Sequence, residues 1–193
     1  METRGPLALT PEIEEFRQQF EQLITEVDAF VAPLGDTGFA WQPAPDRWSV
    51  AQCVDHLNAT ARTYLPVLDE GITDAIRRGL YGRGPYAYNW VGRLLVYLMR
   101  PNSWFRAKAP RSFAPAPSRP RQEIMAAFRA YQVQYIDRLR QANGLDLARA
   151  RVASPVARWL RMSLGSAFLL LITHERRHLA QAQRVLQEPG FPR

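Results

Sequence analysis

The feature that most constrains this chain is an apolar stripe in residues 164–187 that contains two of its three histidines. His174 and His178 are four residues apart, so a helix places their imidazoles one above the other on the same face. Steps of three and four residues give the whole stripe: Leu164, Ala167, Leu171, His174, His178, Gln181 and Val185. The pattern predicts a long helix whose apolar face carries both imidazoles toward the protein interior.

The third histidine, His56, lies on another predicted helix. We predict that His56, His174 and His178 meet in the core around one divalent metal ion. The alternative is that the imidazoles of His174 and His178 lie at the edge of the core and are held there by hydrogen bonds. We favour the metal because every histidine of the chain fits one site, and two of them have a ligand spacing.

Four segments have the apolar periodicity of long helices. In the second, Ser49 and Gln52 form a capping box, and Pro66 is expected to kink or end the regular helix, with a helical remainder to about residue 80. In the last, Ser163 is the expected N-cap. The predicted helices begin near Thr10 and Pro11, at Ser49, near Arg119 and after Ser163, and end before Pro33, near residue 80, at Ala142 and before Pro189.

The remaining segments are shorter or irregular. Residues 89–99 predict a short, very apolar helix, and it lies in a loop-rich insertion over residues 82–117. Trp90, Trp104 and Phe105 in this insertion either pack internally or form a pocket lid or dimer surface. Residues 145–155 are expected to be a plain connection. Without a strong alternating pattern, the chain predicts a single all-α domain, 1–193, built as a four-helix bundle.

The composition limits the compartment. One cysteine, Cys53, excludes an internal disulfide framework and suits a reducing compartment. The N-terminal residues have no apolar signal-peptide core, and residues 164–173 are too few to span a bilayer, which needs roughly 20 residues. We therefore expect a soluble cytoplasmic protein with no membrane partner.

The charge is strongly basic, with a formal net charge of +7 and a pI near 10.2. Such a balance can indicate contact with nucleic acid or with an acidic membrane. However, Lys108 is the only lysine, and the arginines are scattered over predicted helix faces and loops. No helix combines a basic cluster with interleaved aromatic residues, so we interpret the charge mainly as a compositional bias and do not expect a nucleic-acid partner.

Residues 174–178 also match HExxH, the zinc-protease signature in which the glutamate is the general base. The longer protease pattern needs a glycine at 181 and a histidine at 184, where this chain has Gln181 and Arg184. The other protease class needs a downstream glutamate, and Glu188 is too close to the chain end to supply it. The motif therefore does not predict a protease.

A second pattern fits better. Its residues are Trp48 and Ser49, then His56-Leu57, and later His174, His178-Leu179 and Gln181. With these residues, the sequence resembles the DinB-like superfamily of DinB/YfiT-type metalloenzymes over essentially the whole chain. The resemblance implies an up-down-down-up four-helix bundle in which His56, His174 and His178 bind nickel, zinc or another divalent ion. It also implies positions left open to water or substrate, and it is compatible with a homodimer, although no residue indicates one. The 82–117 insertion departs from the family pattern.

Other residues are candidates for supporting roles. Glu175 is a candidate catalytic proton acceptor, and its alternative is a surface ion pair with an arginine. Cys53 lies one turn before His56 and is either near the metal or a small buried thiol. Gln181 either orients a ligand or extends the core stripe. Asp55 is a candidate acceptor for an imidazole N–H, although it points away from His56 on its own helix.

Three functions follow from these observations. The first is a metal-dependent enzyme acting on a small-molecule substrate, because three nitrogen ligands with an open position are typical of catalytic sites. By resemblance, its activity is either that of an S-transferase using a small-molecule thiol as cofactor or that of a hydrolase. The second is a basic, non-enzymatic protein that binds nucleic acid or another acidic partner. The third is a bundle whose metal is purely structural, with Cys53 or Glu175 completing a closed ligand set.

Overall fold

A computed structural model describes residues 8–101, 103, 110, 113–116, 119–157 and 159–192, and these are mostly helical. Trp104 and Phe105, which we considered for a lid or dimer surface, lie outside the described residues. The elements in chain order are α1 (Pro11–Val31), α2 (Asp36–Ala40), α3 (Val50–Arg77), α4 (Trp90–Leu98), α5 (Arg121–Ala142), β1 (Arg151–Ala153), β2 (Arg161–Ser163) and α6 (Leu164–Val185).

The four long helices share one core. Helix α3 packs against α5 and α6, and α1 packs against the same two helices. Large aromatic side chains fill the space between them, and the rings of Phe20 from α1 and Tyr135 from α5 stack with centroids 5.0 Å apart. The mostly helical content confirms the predicted fold class at that level.

Local sequence explains where the helices begin. The Ser49 side chain accepts a hydrogen bond from the Gln52 backbone, and the Gln52 side chain accepts one from the Ser49 backbone, so the capping box is confirmed. Ser163 caps α6 by accepting from the Ser166 N–H. Helix α3 continues through Pro66 to Arg77, so the proline does not end it.

Two elements depart from the prediction. Helix α2 was not predicted, and the expected plain connection contains β1, which pairs with β2 as a small antiparallel hairpin. The paired residues Val152 and Met162 are both buried, and β1 contacts α3 at Gly71. A Cβ at position 71 would overlap Val152 Cγ1, so the missing side chain is what lets the hairpin approach the helix.

Helix α4 packs on α6 through a similar close approach. A Cβ on Gly92 would overlap the Ser166 Oγ, and Gly92 and Val96 form the buried face of α4. Within the described part of the chain, no helix has both the length and the apolar character needed to cross a membrane.

We expect Gly71→Ala to lower the free energy of unfolding by about 1–3 kcal/mol, because the new methyl group must displace the hairpin. The double substitution Gly71→Ala with Val152→Ala removes the overlapping atom, so its cost should be smaller than the sum of the two single costs. Denaturant unfolding of the four proteins measures this coupling. Strictly additive costs would contradict the packing described here.

Candidate metal centre

Three imidazoles from two helices converge in the core. His56 comes from α3, and His174 and His178 come from successive turns of α6. The Nε2 atom of His174 lies 3.2 Å from Nε2 of His56 and 3.1 Å from Nε2 of His178. Among the described residues, these three histidines form the group whose potential ligand atoms all lie within 4.8 Å of one another. The predicted convergence of the three side chains is therefore present.

The spacing of the nitrogens fits a metal ion. A metal–nitrogen bond of about 2.0–2.1 Å, with angles between tetrahedral and octahedral, separates two ligand nitrogens by about 2.9–3.4 Å. Both Nε2 distances measured from His174 fall in this range. Two of the three nitrogen separations therefore match those of ligands on one ion, and all three nitrogens lie within 4.8 Å of one another.

The orientation of His56 is set by a main-chain acceptor. Its Nδ1 lies 2.6 Å from the carbonyl oxygen of Phe113, which can only accept a hydrogen bond. Nδ1 therefore carries the proton, and the lone pair is on Nε2, which faces the other two histidines. A ligand whose second nitrogen donates to a carbonyl is typical of metal sites.

Asp55 holds the segment that supplies this carbonyl. Its buried carboxylate accepts hydrogen bonds from the Ala116 N–H at 2.7 Å and from Arg119 Nη1 at 2.9 Å. We had considered Asp55 as a direct acceptor for an imidazole, but the acceptor for His56 is the Phe113 carbonyl. Asp55 instead ties Ala116 and Arg119 to α3, at the position next to His56.

Burial keeps the three imidazoles neutral. It lowers the pKa of His174 to about 3, with the neighbouring His56 and Arg177 acting in the same direction. Burial likewise lowers the pKa of His56 and lowers that of His178 well below its usual value, although the Gln181 side chain acts in the opposite direction on His178. Neutral imidazole is the form that coordinates a metal, so the site is ready to bind an ion near neutral pH.

Trp48 forms an aromatic wall of the site. Its ring centroid is 4.8 Å from that of His56 and 5.7 Å from that of His178, and the indole is nearly parallel to the His178 ring. The sequence indicated Trp48 only as part of the family motif. Trp48 lies immediately before the N-cap of α3 and eight residues before His56, and this spacing could have indicated that its ring reaches the His56 imidazole.

Cys53 is a buried thiol beside the centre. Cys53 and His178 both line a cavity of about 10 Å³. This volume is close to the minimum that holds one water molecule. Burial raises the pKa of the Cys53 thiol to about 12. The group of potential metal ligands within 4.8 Å of one another contains the three histidines and not the Cys53 sulfur. The position of Cys53 therefore fits a small buried thiol.

Glu175 faces α5 and is only 3% exposed, so the surface ion pair that we considered for it is wrong. Its Oε1 accepts a hydrogen bond from Gln132 Nε2 at 3.0 Å, while Oε2 has no hydrogen-bond partner among the described residues. Burial raises the pKa of Glu175 to about 8. A catalytic role for this carboxyl group stays a prediction.

Comparison with known proteins agrees with this geometry. The family model of the DinB superfamily matches residues 19–182, a range that includes all three histidines and Trp48. Searches of the curated proteins and of the solved structures found no match. Because the matched range covers most of the 193 residues, this chain belongs to the DinB superfamily.

Proposed function

We propose that the protein binds one divalent metal ion through His56, His174 and His178 and acts as a metal-dependent enzyme on a small molecule. The observation that carries this proposal is the convergence of the Nε2 atoms of buried His56, partly buried His174 and buried His178, with two separations at metal-ligand spacing. Membership of the DinB superfamily supports the same conclusion.

We further propose that α1, α3, α5 and α6 form the up-down-down-up four-helix bundle. Their pairwise contacts support this arrangement, since each of the four packs against two of the others. In such a bundle the ligands project inward from facing helices, as His56 does from α3 and the other two do from α6.

Three nitrogen ligands favour a catalytic centre over a closed structural one, because structural zinc sites usually have four protein ligands. A nickel or zinc ion held there would supply Lewis acidity and lower the pKa of a bound water or thiol toward neutrality. Around it, the Phe113 carbonyl fixes the His56 ring and the Trp48 indole shields two imidazoles from water. These residues orient the ligands and limit solvent access.

Two reactions fit this centre: S-transfer from a small-molecule thiol and hydrolysis. The experiment that separates them is a screen of the metal-loaded protein with electrophilic substrates, with and without a panel of small thiols. Turnover that requires a thiol and consumes it in equal amount supports the transferase, and turnover with water alone supports the hydrolase. A fully loaded protein with no turnover under either condition would support the structural-metal alternative.

The purified protein should bind one divalent ion per chain. His174→Ala should reduce the metal affinity by more than the about 100-fold typical of outer-shell changes, because a direct ligand is lost. Elemental analysis and calorimetric titration with zinc and nickel measure the content and the affinity.

Gln183→Ala is the matched control, since it changes an exposed polar residue of the same helix. It should keep one ion per chain.

Metal at 100 times its dissociation constant should stabilise the wild-type fold by about 2.7 kcal/mol, and chelator should remove this gain. Equal metal content in wild type and His174→Ala would falsify the proposed ligand set.

Asp55→Asn should lower metal affinity by about 10–100-fold without removing a ligand, because residues 113–116 would no longer hold the His56 ring firmly. Asp69→Asn is the control, since Asp69 is also on α3 and also pairs with an arginine, Arg138. It should leave metal affinity unchanged. Similar losses for the two variants would show that Asp55 acts only through general stability.

Glu175→Gln tests the role of the buried carboxyl group. The amide keeps an acceptor for Gln132 and is uncharged, like the carboxyl group at neutral pH with its pKa raised to about 8. Metal content should therefore be unchanged, and the free energy of unfolding should change by less than about 1 kcal/mol. Chemical denaturation and elemental analysis measure both quantities. If this variant retains its metal and its stability but loses turnover, Glu175 is the proton acceptor.

A further inference from the structure

Helix α4 has an outer face that the described part of the protein does not cover. The exposed fractions are 74% for Trp90, 46% for Leu94 and 53% for Tyr97. Arg93 and Arg100 are exposed as well, and the Arg100 guanidinium lies over the Tyr97 ring at 5.4 Å. We call these five residues the α4 outer face.

The spacing shows that these side chains form one stripe. Trp90, Arg93, Leu94 and Tyr97 follow the three-and-four-residue period of a helix face. The opposite face is fixed, because Gly92 lies too close to Ser166 of α6 to admit even a methyl group. The arrangement therefore keeps an aromatic and aliphatic stripe pointing outward.

The sequence segment that contains α4 carries charge of one sign. Residues 75–122 contain ten of the 25 basic residues of the chain and none of its 18 acidic residues. The rest of the chain has 15 basic and 18 acidic residues, a formal charge of −3. The overall charge of +7 is thus concentrated in the segment that contains α4.

We propose that the α4 outer face binds an anionic membrane surface, a function beyond the metal chemistry. Tryptophan and tyrosine are the side chains favoured at membrane interfaces, and a helix with aromatic and aliphatic residues flanked by arginines is typical of interfacial binding. The exposed Arg93 and Arg100 complement negatively charged headgroups. This differs from our expectation of no membrane partner, which rested on the lack of a membrane-spanning run and on the scattered positions of the arginines.

Two other occupants fit the observations less well. A second copy of the chain would bring Arg93 and Arg100 against the same basic surface, and like charges would oppose that contact. Nucleic acid would engage the arginines and the aromatic rings, but the exposed Leu94 gains little from phosphates or bases. A lipid surface uses all five residues of the stripe.

The test is co-sedimentation of the full, metal-loaded chain with vesicles of phosphatidylcholine alone or with added phosphatidylglycerol. We expect binding to the anionic vesicles at least about tenfold tighter than to the neutral ones, and weaker at high salt. Trp90→Ala with Leu94→Ala should reduce binding about tenfold or more through lost apolar burial. Arg93→Gln should reduce it about fivefold.

Matched controls come from α5. Val133 is 52% exposed and Arg140 is also exposed, and neither belongs to the α4 outer face. Val133→Ala and Arg140→Gln should each change binding by less than about twofold. Circular dichroism and metal content of every variant show that it is folded, so a loss of binding is assigned to the surface.

Several results would overturn the proposal. These are no binding to anionic vesicles, equal binding to neutral and anionic vesicles, or wild-type binding by the α4 variants. Binding of a single-stranded oligonucleotide without vesicle binding would assign the surface to nucleic acid. A dimer in sedimentation velocity that Trp90→Ala dissociates, again without vesicle binding, would assign it to a second copy.

Discussion

The centre depends on one constraint: the Nε2 atoms of His56, His174 and His178 face one another in the protein interior. Hydrogen bonds alone do not satisfy them, because a neutral imidazole has only one N–H, and His56 already uses its own on the Phe113 carbonyl. Protonating one ring to fill the gap is unfavourable, since burial lowers all three pKa values. A cation between the rings resolves the conflict, because each ring then directs its lone pair toward positive charge.

The site is assembled from distant parts of the chain. Helix α6 contributes two ligands from successive turns, which needs only helix geometry, whereas the third ligand needs α3 packed against α6 in one register. Asp55 adds a further constraint by tying Ala116, near the end of the 82–117 insertion, and Arg119, just after it, to the turn of α3 that carries His56. The insertion also contributes the Phe113 carbonyl, which orients the His56 ring.

The features that the sequence predicted arise from local patterns, whereas the features that it missed arise from contacts between distant segments. The long helices, their caps and the three histidines are encoded by local periodicity, so one chain was enough to predict them. The Phe113 carbonyl has no side-chain signature, because any residue offers the same acceptor. The hairpin strands are three residues each, too short for an alternating pattern, and they depend on the absent side chain of Gly71. Glu175 is buried through a partner on another helix, which a single helix pattern cannot show.

The charge of the protein shows why composition and position must be considered together. We interpreted the net charge of +7 as a bias spread over the chain. Along the sequence, however, it is the sum of +10 in residues 75–122, which contain no acidic residue, and −3 in the remainder. That segment matters physically because the close contact of Gly92 with α6 turns Trp90 and Tyr97 of α4 outward. The C-terminal end of α4 is also tied to the metal-bearing helix, since Arg177 donates hydrogen bonds to the carbonyls of Leu98 and Arg100 one residue before His178. The proposed membrane-binding face and the proposed metal centre are thus connected through the contact between α4 and α6.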